Sequence, residues 1–253
     1  MLLAIDVGNS NLKTGLFAGR ELLASWRITT SRERSSDEYG LLMVQFLNHL
    51  HYAPEKIDGV IVSSVSPGLN YTLERMIRTY LCKKPLFVSS QLRTGLTIGY
   101  NTPHTLGADR IANAAGAYHL YGGPCITVDF GTATTFGAVT EDGTFLGGAI
   151  APGIRTSSDA LVSRAAQLHK FDLVKPEKAI ADNTLEALQA GVMYGFSGLA
   201  DKIISKMIQE LGPAQVIATG GLSDVIAGDS YTKEVVDKLL TLKGLQRIYE
   251  LNA

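Results

Sequence analysis

Asp6-Val7-Gly8-Asn9-Ser10 and Asp129-Phe130-Gly131-Thr132-Ala133-Thr134 are the two stretches that decide how this chain folds. Each closes an apolar, strand-like run, Leu2 to Ile5 before the first and Cys125 to Val128 before the second. Buried strands have this character, and the glycine that follows each aspartate is expected to supply positive φ or a close backbone approach. With no side chain on Gly8 or Gly131, phosphate oxygens are expected to reach the exposed N–H groups of these turns. A carboxylate beside an anion is repulsive by itself, so Asp6 and Asp129 point to cations held between protein and phosphate. A single Asp-Xaa-Gly turn serves any hairpin. Two of them in matching surroundings, one per half, describe two halves built to grip one phosphate chain.

Outward from the first turn, Leu12 to Phe17 and Leu22 to Ile28 read as strands of an antiparallel meander around Ala18-Gly19-Arg20. Apolar residues at helical spacing predict a helix from Asp37 to Leu50 and another from Asn70 to Leu81. Short strands are predicted at Val60 to Val65 and Pro85 to Val88, then an alanine-rich helix from Gly107 to Tyr121 whose small residues admit a close neighbour. The second half repeats the plan, with a strand at Phe136 to Val139, a hairpin at Glu141 to Thr144 and a strand at Val216 to Ala218. Helices are predicted at Ile154 to Gln167, Thr184 to Gly212 and Lys233 to Leu240. The expected boundary lies near Gly116, giving domains 1–116 and 117–253.

A chain of 253 residues with 45% hydrophobic and 19% charged residues and 26 glycines suits an α/β globular protein rich in turns. Its net charge of −1 gives no pull toward nucleic acid or an anionic membrane. The two cysteines and five histidines fall in no metal-ligand spacing. These features, with an N-terminus that lacks a signal-like basic region and no apolar run of spanning length, predict a reduced, cytoplasmic protein.

The two turns and the later Gly-Gly loops resemble the phosphate and adenosine motifs of the actin-like ATPase superfamily. Within it, Asp6 to Ser10 with Lys13, Tyr100-Asn101-Thr102-Pro103, Gly107-Ala108-Asp109-Arg110, Asp129 to Thr135 and Gly147-Gly148-Ala149-Ile150-Ala151-Pro152-Gly153 resemble type III pantothenate kinases. The match continues in the family's order through Asn183-Thr184, Thr219-Gly220-Gly221 and Gly244-Leu245, with Ser66 a mild departure. The resemblance implies two ribonuclease H-like domains, each a mixed sheet with flanking helices. It also implies ATP-dependent phosphorylation of pantothenate on its primary hydroxyl, the first step toward coenzyme A. The alternative is a nucleotide-binding regulator of the same fold that does not turn over pantothenate.

On this resemblance, ATP is bound by Asp6, Val7, Gly8, Asn9, Ser10, Asn11, Leu12, Lys13 and Thr132, with Asp6 holding magnesium through water. Asp129 binds potassium or ammonium. Asp109 is the catalytic base, and Tyr100, Gly107, Ala108, Asp109, Arg110 and Thr184 contact pantothenate. Read from residue chemistry alone, several of these have a second meaning. Lys13 also fits a solvated strand lysine, Asp109 a charge that offsets a helix dipole, and Arg110 a surface partner for a nearby acid. Tyr100 also fits packing, the Gly-Gly pairs simple turns and Thr184 a helix N-cap. A planar guanidinium fork matches a carboxylate better than an ammonium does, which favours Arg110 as substrate anchor. The long helix after Thr184, with Leu188, Val192, Met193, Phe196 and Leu199 among Gly191, Gly195 and Gly198, is expected to form a homodimer interface.

Overall fold

The computed structural model describes residues 1–227 and 234–253. Two compact units emerge, and they do not follow a single cut near Gly116. One comprises residues 1–96, 101–119 and 240–253, the other residues 97–100 and 120–239.

The first unit begins with β1 (Leu2–Val7), β2 (Asn11–Ala18) and β3 (Glu21–Thr29), followed by α1 (Ser36–His49), β4 (Gly59–Ser64), α2 (Asn70–Tyr80) and β5 (Pro85–Phe87). The sheet order is β3-β2-β1-β4-β5. β1 pairs antiparallel with β2 and parallel with β4. Alternate residues Leu3, Ile5 and Val7 enter a core with Tyr39, Met43 and Leu47 of α1 and Leu73, Met76 and Ile77 of α2. Each such side chain contributes about 1.5–3 kcal/mol by leaving water. α1 starts where it does because Ser35 and Glu38 form a reciprocal capping box. α3 (Ala108–Tyr121) then carries the alanine-rich segment.

The second unit contains β6 (Thr97–Ile98), β7 (Cys125–Phe130), β8 (Ala133–Val139), β9 (Thr144–Gly147), β10 (Ile150–Pro152), α4 (Ile154–Arg164), α5 (Thr184–Leu211), β11 (Gln215–Thr219), α6 (Ser223–Ala227) and β12 (Glu234–Val236). Its path is β12-β11-β7-β8-β9-β6, with β10 on β8. β7 pairs antiparallel with β8 and parallel with β11, so β9-β8-β7-β11-β12 repeats the order and sense around the first sheet's central strand. The duplication read from the two turns is therefore a duplication of topology. Ile126, Val128, Phe130 and Phe136 pack with Met193, Ala200 and Ile204 of α5.

The helix expected at Lys233 to Leu240 does not form over its described part. Lys233 lies outside the described residues, and Glu234–Val236 is instead a strand parallel to β11. Residues 97–98 and 150–152, which carry too few residues for a periodic signal, add short strands through β9 and β8. The chain ends in α7 (Leu240–Asn252), which rejoins the first unit and packs on β1, β2 and β4. The close neighbour expected for the alanine-rich helix is this α7. A Cβ on Gly116 would lie 2.8 Å from the Leu240 carbonyl, and one on Gly244 would fall inside the Ala112 carbonyl. Thr241 donates across the crossing to Asn113 Oδ1 at 2.7 Å. This crossing, between segments distant in sequence, is why the single cut at Gly116 does not describe the units.

Candidate active site

The first turn is closed by its own backbone. Gly8 N–H donates to the Asn11 carbonyl at 3.0 Å, and Gly131 N–H donates to the Ala133 carbonyl at 3.1 Å in the second turn. The glycine N–H groups themselves are thus committed to shaping the turns, contrary to the expectation that phosphate reaches them. Positive φ is not the reason for these glycines either, since neither is among the left-handed residues. Gly8 is needed for close approach, its Cβ position lying 3.0 Å from the Asn11 carbonyl, while Gly131 would meet only ordinary contacts at 3.4 Å.

Each turn is tied by a threonine that sequence reasoning did not single out. Thr30 Oγ1 donates to the Gly8 carbonyl at 2.8 Å, and Thr156 Oγ1 donates to the Thr132 carbonyl at 2.8 Å. Neither stands in a motif, because each meets its turn only through the returning strand or helix. Gly153 belongs to the same support, since a Cβ there would enter the Thr132 carbonyl.

Asp6 is buried on β1, opposite half-buried Lys13 on β2 and Ser63 on β4. Val7 and Leu12 point into the core and offer a ligand only their backbone, whereas Asn9, Ser10 and Asn11 are exposed at the turn. In the second unit, half-buried Asp129 lies opposite Thr135 on β8 and Thr219 on β11, with Thr132 exposed beyond it. Gly220 (φ +97°) abuts the carboxylate, its Cβ position lying 2.6 Å from Asp129 Oδ1.

Gly107, Asp109 and Arg110 form one assembly at the start of α3. Asp109 Oδ1 accepts from Arg110 N–H at 2.8 Å. The same oxygen occupies the space above Gly107, 2.5 Å from where a Cβ would stand, so no larger residue leaves the carboxylate in place. Arg110 is only 8% exposed, which removes the reading of a surface arginine. A guanidinium keeps its charge when buried and demands acceptors there.

Tyr100 belongs to the second unit, where its half-buried ring packs at 6.4 Å from Phe145 and beside Gly147. Thr184 is not the N-cap of α5. Asn183 takes that place, its Oδ1 accepting from Glu186 N–H at 3.0 Å, and Thr184 follows it exposed. Gly148 is explained without a ligand, because a Cβ there would enter the Phe136 carbonyl. Gly221 has open space around it. Among the described residues no three His, Cys, Asp or Glu side chains gather as a metal site. A divalent cation at Asp6 would take its other ligands from phosphate and water, a donor set that suits magnesium.

The family model for type III pantothenate kinase matches residues 2–206. The chain belongs to the type III pantothenate kinase family. A type III pantothenate kinase of Moorella thermoacetica is 47% identical over 253 residues, covering 100% of both chains. Members use ATP with a divalent metal, and this chain is accordingly a phosphotransferase that phosphorylates pantothenate in coenzyme A biosynthesis. A Baf-family protein of Campylobacter jejuni, described as a transcriptional activator, superposes with TM-score 0.60 at 22% identity, covering 99% of this chain and 98% of its own. A ROK-family glucokinase of Streptomyces griseus, in complex with glucose and AMPPNP, superposes with TM-score 0.53 at 12% identity over 99% and 98% of the two chains. At these identities the likenesses establish the actin-like ATPase fold and nothing of activity. No helix among the described residues is long and apolar enough to cross a membrane.

Proposed function

We propose that, in this pantothenate kinase, Asp109 orients and deprotonates the pantothenate hydroxyl while Arg110 holds the pantothenate carboxylate. The observation that carries the reading is the fixed carboxylate, anchored through Oδ1 on Arg110 N–H above a glycine that alone leaves it room. Phosphoryl transfer through a loose transition state asks mainly for positioning and charge neutralisation, which a held carboxylate and a buried guanidinium supply. Tyr100, Gly107, Ala108 and Thr184 complete the substrate contacts.

Asn9, Ser10, Lys13 and Thr132 contact ATP through side chains, and Val7, Gly8, Asn11 and Leu12 form the turn that presents them, its Gly8 N–H and carbonyl being taken by Asn11 and Thr30. Asp6 takes magnesium through water, and Asp129 takes potassium or ammonium. A divalent cation on the phosphates neutralises charge as the γ-phosphoryl leaves.

Asp109→Asn keeps the shape but removes the acceptor, and turnover is expected to fall about 10²–10⁴-fold with ATP affinity retained. Arg110→Ala raises the KM for pantothenate instead. Steady-state kinetics with circular dichroism as a folding check separate these outcomes, and near-normal turnover in Asp109→Asn would reduce the carboxylate to a helix-start charge.

The proposed homodimer uses α5. Met193 lies in the core, and Val192, Phe196 and Leu199 pack against it, but Gly191, Gly195 and Gly198 line an exposed stripe with open space beyond each. Each glycine costs an exposed helix about 1 kcal/mol relative to alanine, and nothing among the described residues uses the room. Sedimentation at micromolar concentration is expected to give a dimer, and a fully active monomer rejects it. Two free cysteines, Cys82 exposed and Cys125 buried, support a reduced, cytoplasmic setting.

A further inference from the structure

The strand register sets a hydroxyl beside each turn carboxylate. β4 runs parallel to β1 with Ser63 opposite Asp6, and β11 runs parallel to β7 with Thr219 opposite Asp129. Opposed residues of neighbouring strands share one face of the sheet. Both hydroxyls are fully enclosed at 0% exposure, and neither Ser63 Oγ nor Thr219 Oγ1 has a hydrogen-bond partner among the described residues. Two residues earlier on the same faces stand Ile61 and Ile217, also at 0% exposure. Hydrocarbon therefore suits these faces, and an enclosed hydroxyl without a partner is a cost to the fold. The cost recurs at the equivalent position of both copies, each time beside the carboxylate.

We propose that Ser63 and Thr219 are positioning residues that donate hydrogen bonds to Asp6 and Asp129 in the cation-loaded state. A cation drawn to one carboxylate oxygen fixes the carboxylate plane, and a hydroxyl turned about its own χ1 onto the other oxygen holds it there. Groups that orient a cation's carboxylate in this way tune its affinity without touching the cation. The assignment rests on the reading of Asp6 and Asp129 as cation carboxylates.

Manganese as a paramagnetic stand-in for magnesium, titrated with a non-hydrolysable ATP analogue, reads the first site without turnover. The potassium-dependent rise in Tm, with sodium as control, reads the second. Ser63→Ala is expected to weaken manganese binding about tenfold and to leave the potassium response unchanged. Thr219→Val is expected to raise the half-saturating potassium about tenfold with manganese binding unchanged, and Thr219→Ser, which keeps the hydroxyl, restores it. The ligand-free Tm stays level or rises in Ser63→Ala, because an unsatisfied group has been removed. A lower ligand-free Tm with unaltered cation responses identifies the hydroxyls as packing groups and overturns the proposal. Asp6→Asn and Asp129→Asn are measured alongside. If they leave cation binding intact, the carboxylate reading fails and the proposal falls with it. If they abolish cation binding while Ser63→Ala and Thr219→Val do not alter it, the proposal alone is wrong.

Discussion

The two Asp-Xaa-Gly turns join equivalent antiparallel strands, the second by one residue fewer, and differ in the residue that faces the carboxylate from the antiparallel neighbour. Lys13 stands opposite Asp6, and neutral Thr135 stands opposite Asp129. Unit charges of like sign about 4 Å apart repel by about 4 kcal/mol at an effective dielectric constant of 20. The first copy carries a countercharge on its own β2, whereas the corresponding position of the second carries a neutral hydroxyl. Past the flanking hydroxyl the copies diverge again, to Ser64 at the end of β4 and Gly220 just beyond β11. Only the second leaves backbone without a side chain against its carboxylate. A duplicated fold thus yields two Asp-Xaa-Gly turns of unlike electrostatics from a few register positions.

Exchanging those positions gives the largest expected effect. Lys13→Thr makes the first turn resemble the second and is expected to lower kcat/KM for ATP about 10- to 100-fold, the worth of a charge-assisted contact. On the proposal that Asp129 takes a monovalent cation, Thr135→Lys makes the second resemble the first and is expected to remove potassium activation, seen as equal rates in potassium and sodium buffers. Continued potassium dependence in Thr135→Lys would break the comparison, because neutrality at that position would not be what creates the need.

A smaller effect separates the glycines. Gly220→Ala forces a side chain into a left-handed backbone (φ +97°) and to within 2.6 Å of Asp129 Oδ1 and Phe130 N. It is expected to cost about 1–3 kcal/mol and, on the proposal that Asp129 takes potassium, to weaken the response to that ion. Gly131→Ala, with nothing closer than 3.4 Å, is expected to stay within about 0.5 kcal/mol. Urea unfolding of both variants orders them, and equal losses would place the constraint in the turn itself.

The smallest effect is confined to alkaline pH. Desolvation, with donation of its proton to Asp237 at 2.9 Å, pushes the Tyr121 pKa up to about 12. Below the unfolded value of about 10, both states hold the proton and stability does not depend on this group. Between about 10 and 12 the folded state alone retains it, so stability falls as pH rises. Tyr121→Phe is expected to lessen that fall, measured as the difference in urea midpoint between about pH 9 and about pH 11. An unchanged difference would assign the alkaline loss to other groups, among them Cys125, whose thiol burial also pushes to about 12.

Legibility followed the range of the interaction. The strands around both turns, the helix beginning at Ala108 and the long helix from Thr184 were readable because periodicity and turn residues act over a few neighbours. Asp109 and Arg110 were readable as a pair because they are adjacent. The strand at Glu234–Val236 was misread as helix because its identity comes from pairing with β11 rather than from its own few residues. The return of α7 to the first unit was invisible because Gly116 and Gly244 acquire their meaning only on crossing.

By itself, the sequence determined the duplicated turns, the family they resemble and the residue types available for phosphate, cation and substrate, all of which reside in short contiguous strings. Tertiary structure alone decided which side chains oppose one another. Strand register set Lys13 and Ser63 around Asp6 and Thr135 and Thr219 around Asp129. Burial made Arg110 an interior cation, and the backbone of each turn consumed the N–H of its own glycine. The physical reason is that register and burial are fixed by the packing of whole sheets and helices, a collective outcome that no short string of residues encodes.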